Sequence, residues 1–275
     1  MDSIRERAIA ADDADDVPLA FELWGKLVED DTDGIASLKY GALAIQLEKW
    51  DVAESALMEA SRLKPRASIV MVFLGRLWSR RTDRDRVESL QAAKQWYLRS
   101  LERKRIAPFL TLLGATCARL NEIDEAKAAF EEAIAVDPKY EEAMYNLAAL
   151  LQRSDLQRCV ELTRRAVEID PEYAMAHGLL GLTLQRLGDL GSAELHFRKS
   201  LQIDPDDWTS NIYFANLLAG LGENEEAEQI YRPAVELEPG LKVGWRLFAR
   251  FLKSIGKVAE AEKVLSKAKQ AVSQD

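Results

Sequence analysis

With two cysteines and two histidines in 275 residues, the chain has little with which to build cross-links or metal centres. Cys117 and Cys159 are too few for a disulfide framework and are expected as buried free thiols. His177 and His196 have no cysteine or acidic partners at metal-ligand spacing, so both are assigned packing roles and no metal is expected. No apolar run reaches about 18 residues, which argues against membrane insertion. No basic leader precedes an apolar segment, and the expected location is cytoplasmic. Phosphate loops of the G-x-x-x-x-G-K-[ST] type and G-x-S-x-G elbows are missing. Gly181, Gly188 and Gly191 follow no strand and make no dinucleotide fingerprint. Carboxylates such as Glu225, Glu226 and Glu228 have the spacing of a solvated helix face, with nothing to raise a pKa for acid catalysis. The chain is therefore read as non-enzymatic, with no catalytic residue and no cofactor.

What the sequence does have is a period. Pro138, Pro171, Pro205 and Pro239 follow one another at intervals of 33, 34 and 34 residues, and each closes an amphipathic helical stretch that a proline cannot continue. Before each comes a second helical stretch, with a large apolar residue beside a small one: Leu113-Gly114, Leu147-Ala148, Leu180-Gly181, Phe214-Ala215 and Phe248-Ala249. Small residues there let two helices nest closely. Gly188, Gly222 and Gly256, with Asn121 earlier, recur at the turn between the two helices, where a left-handed backbone ends a helix. Such a period implies stacked helical units and places function on a surface built by several of them.

The pattern resembles the tetratricopeptide repeat family, carried by Leu110, Leu113, Gly114, Cys117, Ala126, Phe130, Ala133 and Pro138 and by the matching places of the neighbouring units. The resemblance implies an all-α fold, a right-handed α-solenoid superhelix of antiparallel helix pairs. Seven repeats are expected: 34–67, 68–106, 107–140, 141–173, 174–207, 208–241 and 242–275. The second fits only if about six extra residues, in outline TDRDRVES, enter its internal turn. Residues 1–33 form an acidic segment in which Ala20, Trp24 and Leu27 have the spacing of a helix that caps the array, and the residues before Pro18 are read as a short helix or a tail.

Charge is unevenly distributed. Residues 1–33 carry 11 acids and 3 bases; residues 68–106 sum to +6, 107–241 to -13 and 242–275 to +5, within a total of -9. The acidic leader can rest on the basic second repeat, or the segregation can orient a bound chain. It can equally be a solvated surface.

The resemblance further implies that the first helix of each pair lines a concave groove that takes a peptide or helical segment of another protein. At the thirteenth place of four consecutive repeats stand Arg80, Arg119, Arg153 and Arg186, with Arg76 near one end of the row. A guanidinium offers a fixed fork of donors to carboxylates or carbonyls. Gln152 and Gln185 suit a peptide backbone. Arg246, Arg250 and Lys253 fall on the inner face of the last repeat, with Asn216 on the one before. Apolar inner-face candidates are Ile35, Leu38, Ala42, Ile45, Ile69, Val72, Tyr145, Met175 and Leu182, of which Tyr145 is the foremost contact. The family subgroup that grips a C-terminal carboxylate uses Lys and Asn on successive first helices; here Asn146 stands alone, so that mode is disfavoured.

The leading expectation is a protein-binding adaptor or scaffold. A structural assembly subunit using its convex face or ends is the main rival, including a homodimer through the terminal repeat around Val258 and Leu265. RNA binding at RRTDRDR and RSLERKR, beside Trp78, Trp96 and Tyr97, is a minor reading, because the acidic centre repels a long polyanion.

Overall fold

The computed structural model describes residues 3–272, and among these there are sixteen α-helices and no strand. They are α1 (Ile4–Asp13), α2 (Val17–Gly25), α3 (Ile35–Gln46), α4 (Trp50–Leu63), α5 (Ser68–Arg80), α6 (Arg86–Leu101), α7 (Ala107–Arg119), α8 (Ile123–Val136), α9 (Glu141–Leu151), α10 (Leu156–Ile169), α11 (Ala174–Leu187), α12 (Leu190–Ile203), α13 (Trp208–Leu221), α14 (Asn224–Leu237), α15 (Lys242–Ser254) and α16 (Val258–Val272). Short turns fold each odd-numbered helix back on the next, giving antiparallel pairs.

The turns are written in the sequence. Asn121, Gly188, Gly222 and Gly256 have φ of 63°, 87°, 86° and 83°, and each ends the first helix of its pair. At the far end, Asp137, Asp170 and Asp204 each accept a bond from the backbone N–H two residues on, at 3.0, 3.0 and 3.2 Å. The proline between supplies no donor, so an aspartate turn takes over where the helix stops. The next helix is then tied back: His177 Nε2, Asn211 Nδ2 and Trp245 Nε1 lie 3.1, 2.8 and 2.9 Å from the carbonyl oxygens of Pro171, Pro205 and Pro239. Three different side chains at one repeat position thus satisfy the same orphan carbonyl.

Within a pair, the small residue meets a large one. A Cβ placed on Gly114 would lie 2.6 Å from the Phe130 ring, and one on Gly181 would lie 3.0 Å from Phe197. The side chain from the second helix therefore occupies the space that glycine leaves on the first.

The chain divides into two compact units, residues 1–143 and 144–275. The first begins with the α1/α2 pair, whose buried Ala8, Ala20, Leu23 and Trp24 pack with Ala36 and Leu43 of α3. The acids of this segment find partners close by: Asp12 accepts from Trp24 Nε1 at 3.1 Å and pairs with Lys39 at 2.9 Å, and Asp33 pairs with Arg5 at 3.1 Å. Asp12 and Asp15 also line a cleft of about 460 Å³ that reaches Arg76 on the basic helix α5.

The extra residues between the helices of the second expected repeat become the connection 81–85 and a 16-residue α6. Arg81 at its start is almost wholly buried. Its guanidinium donates to Asp51 at 2.7 Å and Glu54 at 2.6 Å on α4, and to Asp83 at 2.7 Å in its own loop. It stacks on Trp78 as well, at 5.2 Å. The insertion is anchored by one side chain that the repeat pattern gave no reason to single out.

In the second unit, α11, α13 and α15 touch one another in succession, whereas α12, α14 and α16 make no comparable contacts with each other. Long side chains span the wider spacing: Arg198 of α12 reaches Glu226 of α14 at 2.9 Å, and Arg232 of α14 reaches Glu260 of α16 at 2.6 Å. The first helices are thus the closely spaced, inner wall of this unit. A continuous core from Val160 to Val264 fills the space between the two rows.

Candidate functional site

On the inner wall of the second unit, side chains from four first-helix segments meet around a cleft of about 650 Å³. Its polar lining is Gln152 and Arg153 after α9, Gln185 and Arg186 on α11, Asn216 on α13 and Arg250 on α15. Leu182, Tyr213 and Leu247 supply its apolar surface. A second cleft of about 250 Å³, bounded by Tyr145, Met175 and Leu179, shares Gln152 and Leu182 with the first. The small side of it is Gly178, where an added Cβ would collide with the Ser210 hydroxyl.

Two of the cationic groups are held by the preceding repeat. Arg186 donates to the carbonyl oxygen of Gln152, and Arg250 Nη2 donates to Asn216 Oδ1 at 3.1 Å; both pairs are 34 residues apart, one repeat. Each guanidinium spends one donor this way and keeps most of its fork free. Arg153 is exposed, with no hydrogen bond or ion pair among the described residues. Gln185 Oε1 is buried and has no hydrogen-bond partner there. Tyr145 packs on Tyr173 with ring centroids 5.3 Å apart, and burial, then Asp207, pushes its phenol above the ordinary tyrosine range.

No carboxylate lines the 650 Å³ cleft, although residues 144–275 carry 19 acids against 16 lysines and arginines. Nine of the 19 stand on the second helices and none on α11, α13 or α15. Glu161, Glu194, Glu226, Glu228, Glu236 and Glu260 are all on second helices and all engaged by Arg or Lys. The inner wall is therefore positive within a unit that is negative overall.

The remaining residues expected from the sequence fall elsewhere. Arg76, Arg80 and Arg119 are in the first unit, so the row of four arginines is divided between two units. Arg119 donates to the Ser79 carbonyl oxygen at 2.8 Å, as Arg186 does to Gln152. Burial, then Arg86, lowers its pKa from the usual guanidinium value. Arg76 lies over the Phe73 ring at 5.6 Å, and Arg80 is exposed at the end of α5. Arg246 and Lys253 are exposed on α15 but do not line the cleft. Arg153 is not on a first helix: α9 ends at Leu151, and Arg153 stands in the connection 152–155, whose Asp155 caps α10 through a 2.9 Å bond from the Arg158 N–H. Ile45 and Val72, expected on the inner face, are instead buried core residues at 5% and 3% exposure, while Leu38, Ala42 and Ile69 do line the first-unit cleft.

The other chemistry-bearing side chains are locally satisfied. Cys117 and Cys159 are buried, and burial pushes the Cys117 thiol up to about 11. Cys117, Glu122 and Glu125 lie within 4.8 Å of one another, but the Lys94 ammonium already bonds both carboxylates. The aromatic residues near the basic insertion are covered as well. Arg81 and Arg99 stack on Trp78 and Trp96, and Tyr97 is 1% exposed.

Residues 107–140 and 175–207 match the family model of the tetratricopeptide repeat. Similar solved structures include the APC/C hetero-tetramer Cut9–Hcn1, with 14% identity, a TM-score of 0.71 and coverage of 86% of this chain and 48% of that one. The chain thus spans about half the length of that match. PilF of Pseudomonas aeruginosa follows at 15% identity and TM-score 0.69, covering 81% and 97%. A tetratricopeptide repeat protein from Parabacteroides merdae ATCC 43184 has 17% identity and TM-score 0.65, covering 88% and 94%. A comparison with curated proteins finds no match. Fold, turn chemistry and these likenesses define a protein of repeated antiparallel helix pairs. That fold is tetratricopeptide-like, and two of its pairs carry the family's repeat pattern.

Proposed function

We propose that the protein is a non-enzymatic binding scaffold that holds an extended or helical segment of another protein against the first helices of residues 144–272. The observation that carries this reading is the convergence of Gln152, Gln185, Arg186, Asn216 and Arg250, from successive repeats, on one cleft. Backbone-pairing amides and forked cations beside an apolar surface of Leu182, Tyr213 and Leu247 suit a peptide, whose main chain needs partners and whose side chains need pockets. Tyr145 and Met175 extend that surface, and Met175 is 51% exposed. The described residues include no helix long and apolar enough to cross a membrane.

Photo-crosslinking distinguishes this reading from assembly through the opposite side. A crosslinking residue replacing Tyr213 should form adducts with a partner, and one replacing Leu195, 66% exposed on α12, should not. Adducts only from the Leu195 position would give the function to the second-helix face.

A further inference from the structure

We propose that the cleft formed by Gln152, Arg153, α11, α13 and α15 is a receptor for an acidic peptide segment, whose carboxylates pair with Arg153, Arg186 and Arg250. This rests on the segment-binding reading above and adds the chemistry of the partner.

In a unit with more acids than bases, three guanidiniums share one cleft that no carboxylate lines. Six carboxylates of the second helices, Glu161, Glu194, Glu226, Glu228, Glu236 and Glu260, are already engaged with Arg158, Arg198, Arg232, Lys257 and Lys267. Arg186 and Arg250 do have partners, but these are a carbonyl and an amide oxygen, neutral groups that orient a guanidinium without cancelling its charge. Orientation in advance reduces the entropy lost on binding, and an arginine fork pairs a carboxylate through two donors. A basic segment would be repelled, and a neutral one would leave all three charges uncompensated.

The same geometry selects a peptide over a nucleic acid. Asp207 lines the adjoining cleft, where a polyphosphate chain leaving the arginines would meet it. Its carboxylate is fixed there by the Ser210 N–H at 3.2 Å. A peptide tolerates that neighbour, since it can present an apolar side chain to Tyr145, Met175 and Leu179 while its acids stay with the arginines. Gln185 Oε1, buried without a partner, offers an acceptor for a peptide N–H.

The test is a fluorescence-anisotropy titration of the full chain with three labelled peptides of one length: one alternating aspartate and leucine, one with asparagine for aspartate, and one with lysine for aspartate. The aspartate peptide should bind at least about tenfold more tightly than either other, with affinity falling as salt rises. R153E/R186E/R250E should lose that preference, whereas R198E, on the second-helix face, should keep it. Should the triple variant lose helical content, R153Q alone, at an exposed position, should weaken the aspartate peptide several-fold. Equal binding of the asparagine peptide, or an unchanged preference in the variants, overturns the acidic assignment and leaves segment binding standing. A short single-stranded RNA that displaces the bound aspartate peptide at lower concentration than unlabelled peptide does would also overturn it.

Discussion

Arg250 Nη2 lies 3.1 Å from Asn216 Oδ1, joining equivalent faces of α15 and α13 across one repeat. The bond recurs in kind at Arg186, which donates to Gln152, and at Arg119, which donates to Ser79. The arginines are thus both a stitch between neighbouring first helices and a source of positive charge on the inner wall. Neutralising one by Arg250→Ala should destabilise the fold by only about 1 kcal/mol in urea unfolding, as expected for an exposed hydrogen bond. Asn216→Ala should cost a similar amount, and the double variant little more than either single one.

Arg81 should behave differently because it is buried. Arg81→Ala removes the side chain that joins Asp51, Glu54 and Asp83 and leaves a void beside Trp78. We expect a loss of roughly 2–4 kcal/mol in urea unfolding, partly recovered by Arg81→Met, which refills the volume. Asp51→Asn should be indistinguishable from the parent, since the Asp51 side chain is 88% exposed.

Glycine positions provide a signed pair. Gly114→Ala drives a Cβ to 2.6 Å from the Phe130 ring and should cost about 1–3 kcal/mol. Gly191→Ala, in α12, meets nothing within 4 Å and should stabilise by a few tenths of a kcal/mol. Thermal unfolding of the two variants beside the parent reads both signs.

The two histidines predict a pH dependence. His177 and His196 stack with their Nδ1 atoms 3.0 Å apart, a distance that requires one Nδ1 to donate and the other to accept. Burial lowers both pKa values from the ordinary 6.5; at His196 the facing His177 and Arg164 lower it further, and at His177 Lys199 does so against the opposing Pro171 carbonyl, Glu172 and Asp170. The unfolded chain therefore takes up protons first as pH falls. Their contribution to stability is full above pH 6.5 and is lost as pH drops through the lowered folded values. His177→Asn, which places there the residue that already serves at Asn211, should keep the bond to the Pro171 carbonyl and flatten the acid limb of a stability–pH curve.

The helix pairs could be read from the sequence because each rests on local chemistry repeated in phase. Asp-Pro at the end of one helix, glycine or asparagine at φ near 60–90° after another, and glycine against a ring all follow from steric rules that act within a few residues or one pair. The site was less legible. The repeat register placed Gln152, Arg186, Asn216 and Arg250 on one face, but counted Arg153 as helical because it put the one-residue deletion in the turn, whereas the structure shortens helix α9 and lengthens the turn. It also assigned Ile45 and Val72 to the groove, although their faces turn into the core, where a rotation of one residue decides burial. Arg81 was not foreseen, since its role depends on carboxylates 27 and 30 residues earlier, and no periodicity encodes a contact made once.

Recognition on the inner wall is read most directly by methyl NMR of the full chain during titration with the aspartate–leucine peptide. Methyl resonances of Met175, Leu182 and Leu247, on the inner wall, should shift and saturate together, while those of Leu195 and Val258, exposed on the second helices, stay in place. Shifts confined to Leu195 and Val258 would contradict it and move recognition to the opposite face.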